Sequence, residues 1–332
     1  MSELTERALD LDRLRTRVRA SWEGGAVDDE AMAAAVSTSA ELATRAYVQG
    51  ELDARWRAES IIYFLNIDSS FAPPVDPIAA VVWTTLMRSK LARLRRDLGG
   101  ETAGSEIDRD DMFGLLESAV ATWGAYNHPL LDDLERAHNR EAYRIWAKNW
   151  FGSCYGFSHQ LACLIQRTAG TARKAVLENL NDEFDDDVTH DVLRTRFYES
   201  LGLRHNSETA IEDPDWVLES SELLNLRTGL CNLSDPMPAL GCFYGVEANW
   251  PPECRRHHAM HERDGLDDQV LEYWTTHASA DEHHAKEWLD AVDSLCRTGA
   301  ERAAVVEGAV IQLRLRWRMY DSIRERVRAI VD

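Results

Sequence analysis

The spacing of the apolar residues constrains this chain more than any other feature. Along almost its whole length they recur every three or four positions, in segments separated by Gly, Pro, Asn and Asp. No run alternates with period two for long enough to build a sheet. The chain therefore reads as all-α. The first part predicts helices near 2–22, 27–49, 51–66 and 76–98, and the stretch Gly99–Asp111 is polar and glycine-bearing, as a linker is. The second part predicts helices near 107–126, 129–137, 140–168, 170–184, 188–202, 216–250 (broken near Asp235-Pro236), 266–298 and 300–330. Pro251-Pro252 is expected to end the helix that carries Glu247. A length of 332 residues suits two helical units, divided as 1–105 and 106–332.

Charge and composition narrow the function. The formal net charge of -20 repels nucleic acid on average. Two basic stretches, Met87–Arg96 and Arg314–Arg328, interleave with apolar residues and read as solvated faces of amphipathic helices. No apolar stretch approaches the roughly 20 residues that span a bilayer, and the start lacks an apolar signal region. A cytoplasmic protein without membrane or nucleic-acid partners is expected. Six scattered cysteines without a C-x-x-C pair suggest free thiols in a reducing compartment.

Chemistry concentrates after residue 128, where the first histidine occurs. His277, Asp281 and His284 stand at i, i+4 and i+7, so one narrow stripe of a helix presents all three. Imidazole, carboxylate and imidazole form a ligand set for iron, manganese or zinc. The alternative is a solvated face of a charged helix, although Trp274 and Trp288 flank the motif. His283 points elsewhere. Glu183 and His190 lie seven residues apart, close to two helical turns, with Asp187 a rival ligand to Glu183 inside an acidic turn. Glu247 interrupts an apolar, aromatic helix, where a buried carboxylate needs a metal or a cation such as Arg. Gly241 and Gly245 on the same helix would admit a close neighbour. Three carboxylates and three histidines from three helices are the inventory of a dinuclear, carboxylate-bridged centre.

These residues resemble the haem-oxygenase-like di-iron oxidases over about residues 125–330. That family has a carboxylate and a His on one core helix, a lone Glu on a later one, and H-x-x-x-D-x-x-H on a third. Here the pattern reads Glu183 and His190, then Glu247, then His277, Asp281 and His284. The wording Glu178-Asn179-Leu180-Asn181-Asp182-Glu183 and Leu201-Gly202-Leu203 also matches. The resemblance implies a haem-oxygenase-like bundle of about seven core helices, preceded by an N-terminal helical domain. It implies two ferrous ions that react with O2, an external electron donor, and no catalytic residue beyond the metal ligands. The N-terminal helices resemble the extension of the N-oxygenating branch, which helps to form a homodimer. That branch converts small amines to nitro or nitroso products in natural-product biosynthesis. Some of its members carry a further carboxylate on an earlier core helix. The counterpart here, Trp146–Ala162, has no Asp or Glu, and His159 with Asp187 stand as secondary candidates for ligation or for supporting the ligands.

Other readings keep part of this pattern. The same family cleaves C–C bonds or decarboxylates amino or fatty acids. A metal-free, thiaminase-like hydrolase would use Cys154 as nucleophile. A ferritin-like bundle would use Glu135-x-x-His138, a haem oxygenase would use a single histidine, and a non-catalytic helical module would store metal. Asp182, Asp186 and Glu282 are candidates to hold the outer nitrogens of the ligand histidines. Trp150, Phe243, Tyr244 and Trp274 are candidates to line the substrate pocket.

Overall fold

A computed structural model of the chain describes residues 9–20, 29–100, 105–184, 188–204 and 210–331. Among the described residues there is no strand, so the all-α class predicted from the periodicity is the class observed. The first helices are α1 (Leu11–Ala20), α2 (Asp29–Ala43), α3 (Leu52–Asp68) and α4 (Pro77–Leu98). They are followed by α5 (Arg109–Trp123), α6 (Pro129–Ala137), α7 (Arg140–Cys154), α8 (Phe157–Ile165), α9 (Gly170–Asp182) and α10 (His190–Ser200). The last four are α11 (Leu218–Cys231), α12 (Met237–Arg263), α13 (Asp268–Leu295) and α14 (Gly299–Val331). Asp76 caps α4 by accepting from the Ala79 amide at 2.9 Å, Asp108 caps α5, and Asn139 caps α7.

The long helices α12, α13 and α14 form the centre, with α12 packed along both of the others. Glycine makes the α12–α14 crossing close. A Cβ on Gly241 would lie 1.8 Å from the Val305 carbonyl oxygen, and one on Gly308 would lie 1.9 Å from that of Pro238. Gly245 faces Ala309 one turn further on. The small residues at 241 and 245 thus do what their spacing predicts.

Three expectations are corrected. Pro251 and Pro252 do not stop the helix; α12 runs through both. They withhold donors from the carbonyls of Glu247 and Ala248, but Asn249, Trp250, Glu253, Cys254 and His257 on either side are buried. Tertiary packing therefore carries the helix across the gap. The helix expected over 140–168 divides at Tyr155-Gly156, where Gly156 takes φ 75° and the Phe71 ring fills the space of a side chain. The basic stretches are not simply solvated faces. Lys90 is fully buried and donates to Glu59 at 2.5 Å and to the Glu222 carbonyl at 2.9 Å. Arg93 pairs with Glu222, Arg316 with Glu253, and Arg324 and Arg328 with Asp133. Both helices pack on several sides, so their inward-facing cations meet carboxylates on other helices.

Those pairs tie the N-terminal helices to the rest. Arg55 of α3 also reaches Glu222 of α11, and Asn66 donates to Asn225 at 2.8 Å. No helix among the described residues is long and apolar enough to cross a membrane.

Candidate metal centre

Four helices deliver the six candidate ligands. Glu183 follows the last residue of α9, and His190 is the first residue of α10. The connection between them is closed by the His190 amide, 3.4 Å from the Glu183 carbonyl oxygen, and Thr189 caps α10. Glu247 comes from the middle of α12, and α13 presents His277, Asp281 and His284.

The donor atoms form two trios, each with its atoms within 4.8 Å of one another: Glu183, His190 and His277; and Glu247, Asp281 and His284. Five of the six are buried and Glu183 is half-buried. The trios adjoin, since His277 and Asp281 stand one helical turn apart and all but His284 line one cavity. The rings of His190 and His277 are 4.4 Å apart between centroids. His284 Nδ1 lies 3.7 Å from both Glu247 Oε2 and Asp281 Oδ1.

Hydrogen bonds orient these side chains. His277 Nδ1 is 2.8 Å from the Tyr273 carbonyl oxygen. A carbonyl only accepts, so Nδ1 carries the proton and Nε2 keeps its lone pair for a metal. His284 Nε2 is 2.7 Å from Asp182 Oδ2, which leaves Nδ1 toward the carboxylates. Asp182 is therefore one of the expected supporting residues. Buried Asn179, which sequence reasoning missed, donates to Glu247 Oε1 at 3.1 Å.

Electrostatics differ between the two trios. Burial, and then the charge of His190, push the His277 pKa well below that of a free imidazole. Burial and the neighbouring Glu247 push the Asp281 carboxyl well above the usual carboxylate range. Burial opposes charge on His284, but Asp281 and Glu247 outweigh it and push the imidazole up to about 12. The second trio thus retains protons that a dication would displace. The partners of Glu247 are Asn179 and His284, and no Arg or Lys pairs with it or with Asp281 among the described residues. Two buried carboxylates with three imidazoles and no cationic side chain suit transition-metal ions.

A family model described as "iron-containing redox enzyme" matches residues 144–317, just over half of the chain and the segment that holds all six donors. The chain belongs to the iron-containing redox enzyme family. Its metal is accordingly iron, for which the two trios are the candidate ligands. Among solved structures, the chain is similar to a domain of unknown function with a heme oxygenase-like fold from Shewanella denitrificans. The two are 16% identical, the match covers 68% of this chain and 95% of that one, and the TM-score is 0.55. That likeness shows the fold, which is the haem-oxygenase-like bundle expected from the motifs. No curated protein matches the chain.

The remaining candidates fall away from the trios. His159 is exposed on α8 and packed on the Phe71 ring at 5.5 Å, while Phe157 of the same helix lines the cavity. Asp186 and Asp187 lie outside the described residues. Glu282 is exposed and pairs with Arg255. Glu135 pairs with Arg256 and His138 is exposed, so Glu135-x-x-His138 builds no site. Cys154 lines the cavity with Ser153 Oγ 4.0 Å from its Sγ, and no imidazole is hydrogen-bonded to it among the described residues. Of the aromatics expected in the pocket, Trp150 lines it. Phe243 instead stacks on Trp288, Trp274 sits among Trp146, Trp150 and His257, and Tyr244 borders a surface groove.

The cavity is narrow, with about 60 Å³ open to the centres of water-sized spheres, room for a few waters or a slender molecule. Besides the donors, Trp150, Phe157, Leu223, Val246, Trp250 and Met319 give it apolar walls. Arg194, Arg227 and Arg316 also line it, and sequence reasoning missed all three.

Proposed function

We propose that this chain is an O2-dependent oxidase with a dinuclear iron centre, and that it adds oxygen to the nitrogen of a small amine. What supports a pair of irons is the division of six donors into two adjoining trios on one cavity. Bound as a ferrous pair, the metals would supply electrons to reduce O2. The protein's own part is to orient the ligands and to exclude water. Asp182 and the Tyr273 carbonyl hold His284 and His277, Asn179 holds Glu247, and the indoles of Trp150 and Trp250 keep the cavity apolar. Each turnover joins one oxygen atom to nitrogen and releases the other as water, with two electrons from an external donor and two protons. Repetition gives nitroso or nitro products. The helices before residue 105 are the proposed homodimer surface, on their resemblance to the N-oxygenating branch.

A second reading, oxidative C–C cleavage or decarboxylation of an amino or fatty acid, is favoured by the arginines in the cavity, which suit a carboxylate. One assay separates the two. Protein loaded with ferrous iron under nitrogen is given O2, a reductant, and panels of amines and carboxylic acids, and products are followed by mass spectrometry. Oxygen gained on nitrogen is the expected result. Products that have only lost carbon would replace N-oxygenation by the second reading, and failure to consume O2 with any compound would overturn the oxidase.

A further inference from the structure

Arg227 is the residue that the metal centre leaves unexplained. It lies on α11, is 2% exposed, and lines the cavity one turn beyond Leu223. Its Nε and Nη2 are buried without a hydrogen-bond partner. The other two cavity arginines are neutralised: Arg194 pairs with Asp191, and Arg316 donates to Glu253 Oε2 at 3.0 Å. Among the described residues no carboxylate pairs with Arg227. Its strongest electrostatic neighbours are the thiols of Cys154, Cys242 and Cys231 and the guanidinium of Arg316. Burial pushes its pKa below the usual arginine value. An unpaired cation of this kind is costly to bury and contributes nothing to packing that a Leu or Met would not. Arginine is also the side chain whose planar fork matches two carboxylate oxygens.

We propose that Arg227 is the docking group for a carboxylate on the substrate, held in the same cavity that the candidate metal ligands line. The substrate is then a carboxylic acid with a slender body lying along Leu223, Trp150 and Met319, and its oxidised atom faces the ligand trios. This deepens the oxidase reading and rests on it only for what happens after binding. An amino acid satisfies it together with N-oxygenation, and an amino or fatty acid satisfies it together with cleavage.

Binding is tested apart from turnover, on the full chain both metal-free and loaded with ferrous iron under nitrogen. A series of straight-chain and α-amino carboxylic acids and their primary amides is titrated, with calorimetry or intrinsic tryptophan fluorescence as readout. Wild type should bind acids at least about tenfold tighter than the matching amides, in both forms. Arg227→Gln should abolish that preference, Arg227→Lys should restore part of it, and neither should change iron content. Arg227→Gln should also melt no lower than wild type, whereas loss of a structural ion pair would lower the melting temperature. Equal binding of acids and amides, no binding of any acid in the series, or a preference that survives Arg227→Gln would overturn the assignment. A preference that appears only with iron and ignores the substitution would mean that the metals take the carboxylate. An acid preference with no O2 consumption would leave Arg227 as the anchor and remove the oxidase.

Discussion

His284 is held by the nitrogen that faces away from the centre. Asp182 Oδ2, 2.7 Å from Nε2, sets the ring orientation and leaves Nδ1 toward Glu247 and Asp281. Removing such a support usually costs about 10- to 100-fold in metal affinity. Asp182→Ala should therefore weaken one of the two proposed iron sites by that factor and leave the trio of Glu183, His190 and His277 filled. An anaerobic ferrous titration measures it, and two unchanged affinities would show that Asp182 does not set the ring. Much at this scale was legible. The i, i+4, i+7 spacing puts His277, Asp281 and His284 on one stripe, and a carboxylate in an apolar helix singles out Glu247. The same logic applied to Arg227, within Leu223-Leu224-Asn225-Leu226-Arg227, would have found the cavity cation too. His159, a secondary candidate, stands exposed on α8 instead.

Among the elements, the contact of α12 with α14 positions Glu247, because α12 can sit at the centre only if the backbones approach. Gly241 and Gly308 meet carbonyl oxygens of the opposite helix, rigid atoms that cannot move aside as a side chain end can. Gly241→Ala should destabilise the protein by about 3 kcal/mol or more, beyond ordinary overpacking, and displace Glu247. Chemical denaturation with parallel iron analysis checks this; a variant as stable as wild type and fully loaded would contradict the close crossing. Helix existence followed from the 3.6-residue period, but helix ends did not. Pro251-Pro252 is a stop signal by local chemistry, and burial of Asn249, Trp250 and Glu253 overrides it. The break at Tyr155 was hidden because it depends on Phe71, far away in sequence.

Across the whole molecule, buried charge joins the N-terminal helices to the bundle that carries the candidate iron ligands. Glu222 of α11 receives Arg55 and Arg93 and offers its carbonyl to Lys90, while Glu59 takes the Lys90 ammonium. Those pairings were illegible in the sequence, where Lys90 and Arg93 read as part of a solvated stripe, because partners 31 or more residues away leave no local periodicity. The same α11 then carries Arg227 into the cavity, so one helix links the N-terminal packing to the candidate site. Each of these features has its meaning from the two adjoining trios, and iron anomalous scattering from crystals loaded and kept under nitrogen tests those directly. Two iron peaks are predicted, one among Glu183, His190 and His277 and one among Glu247, Asp281 and His284. A single peak, or iron bound elsewhere, would contradict the dinuclear centre.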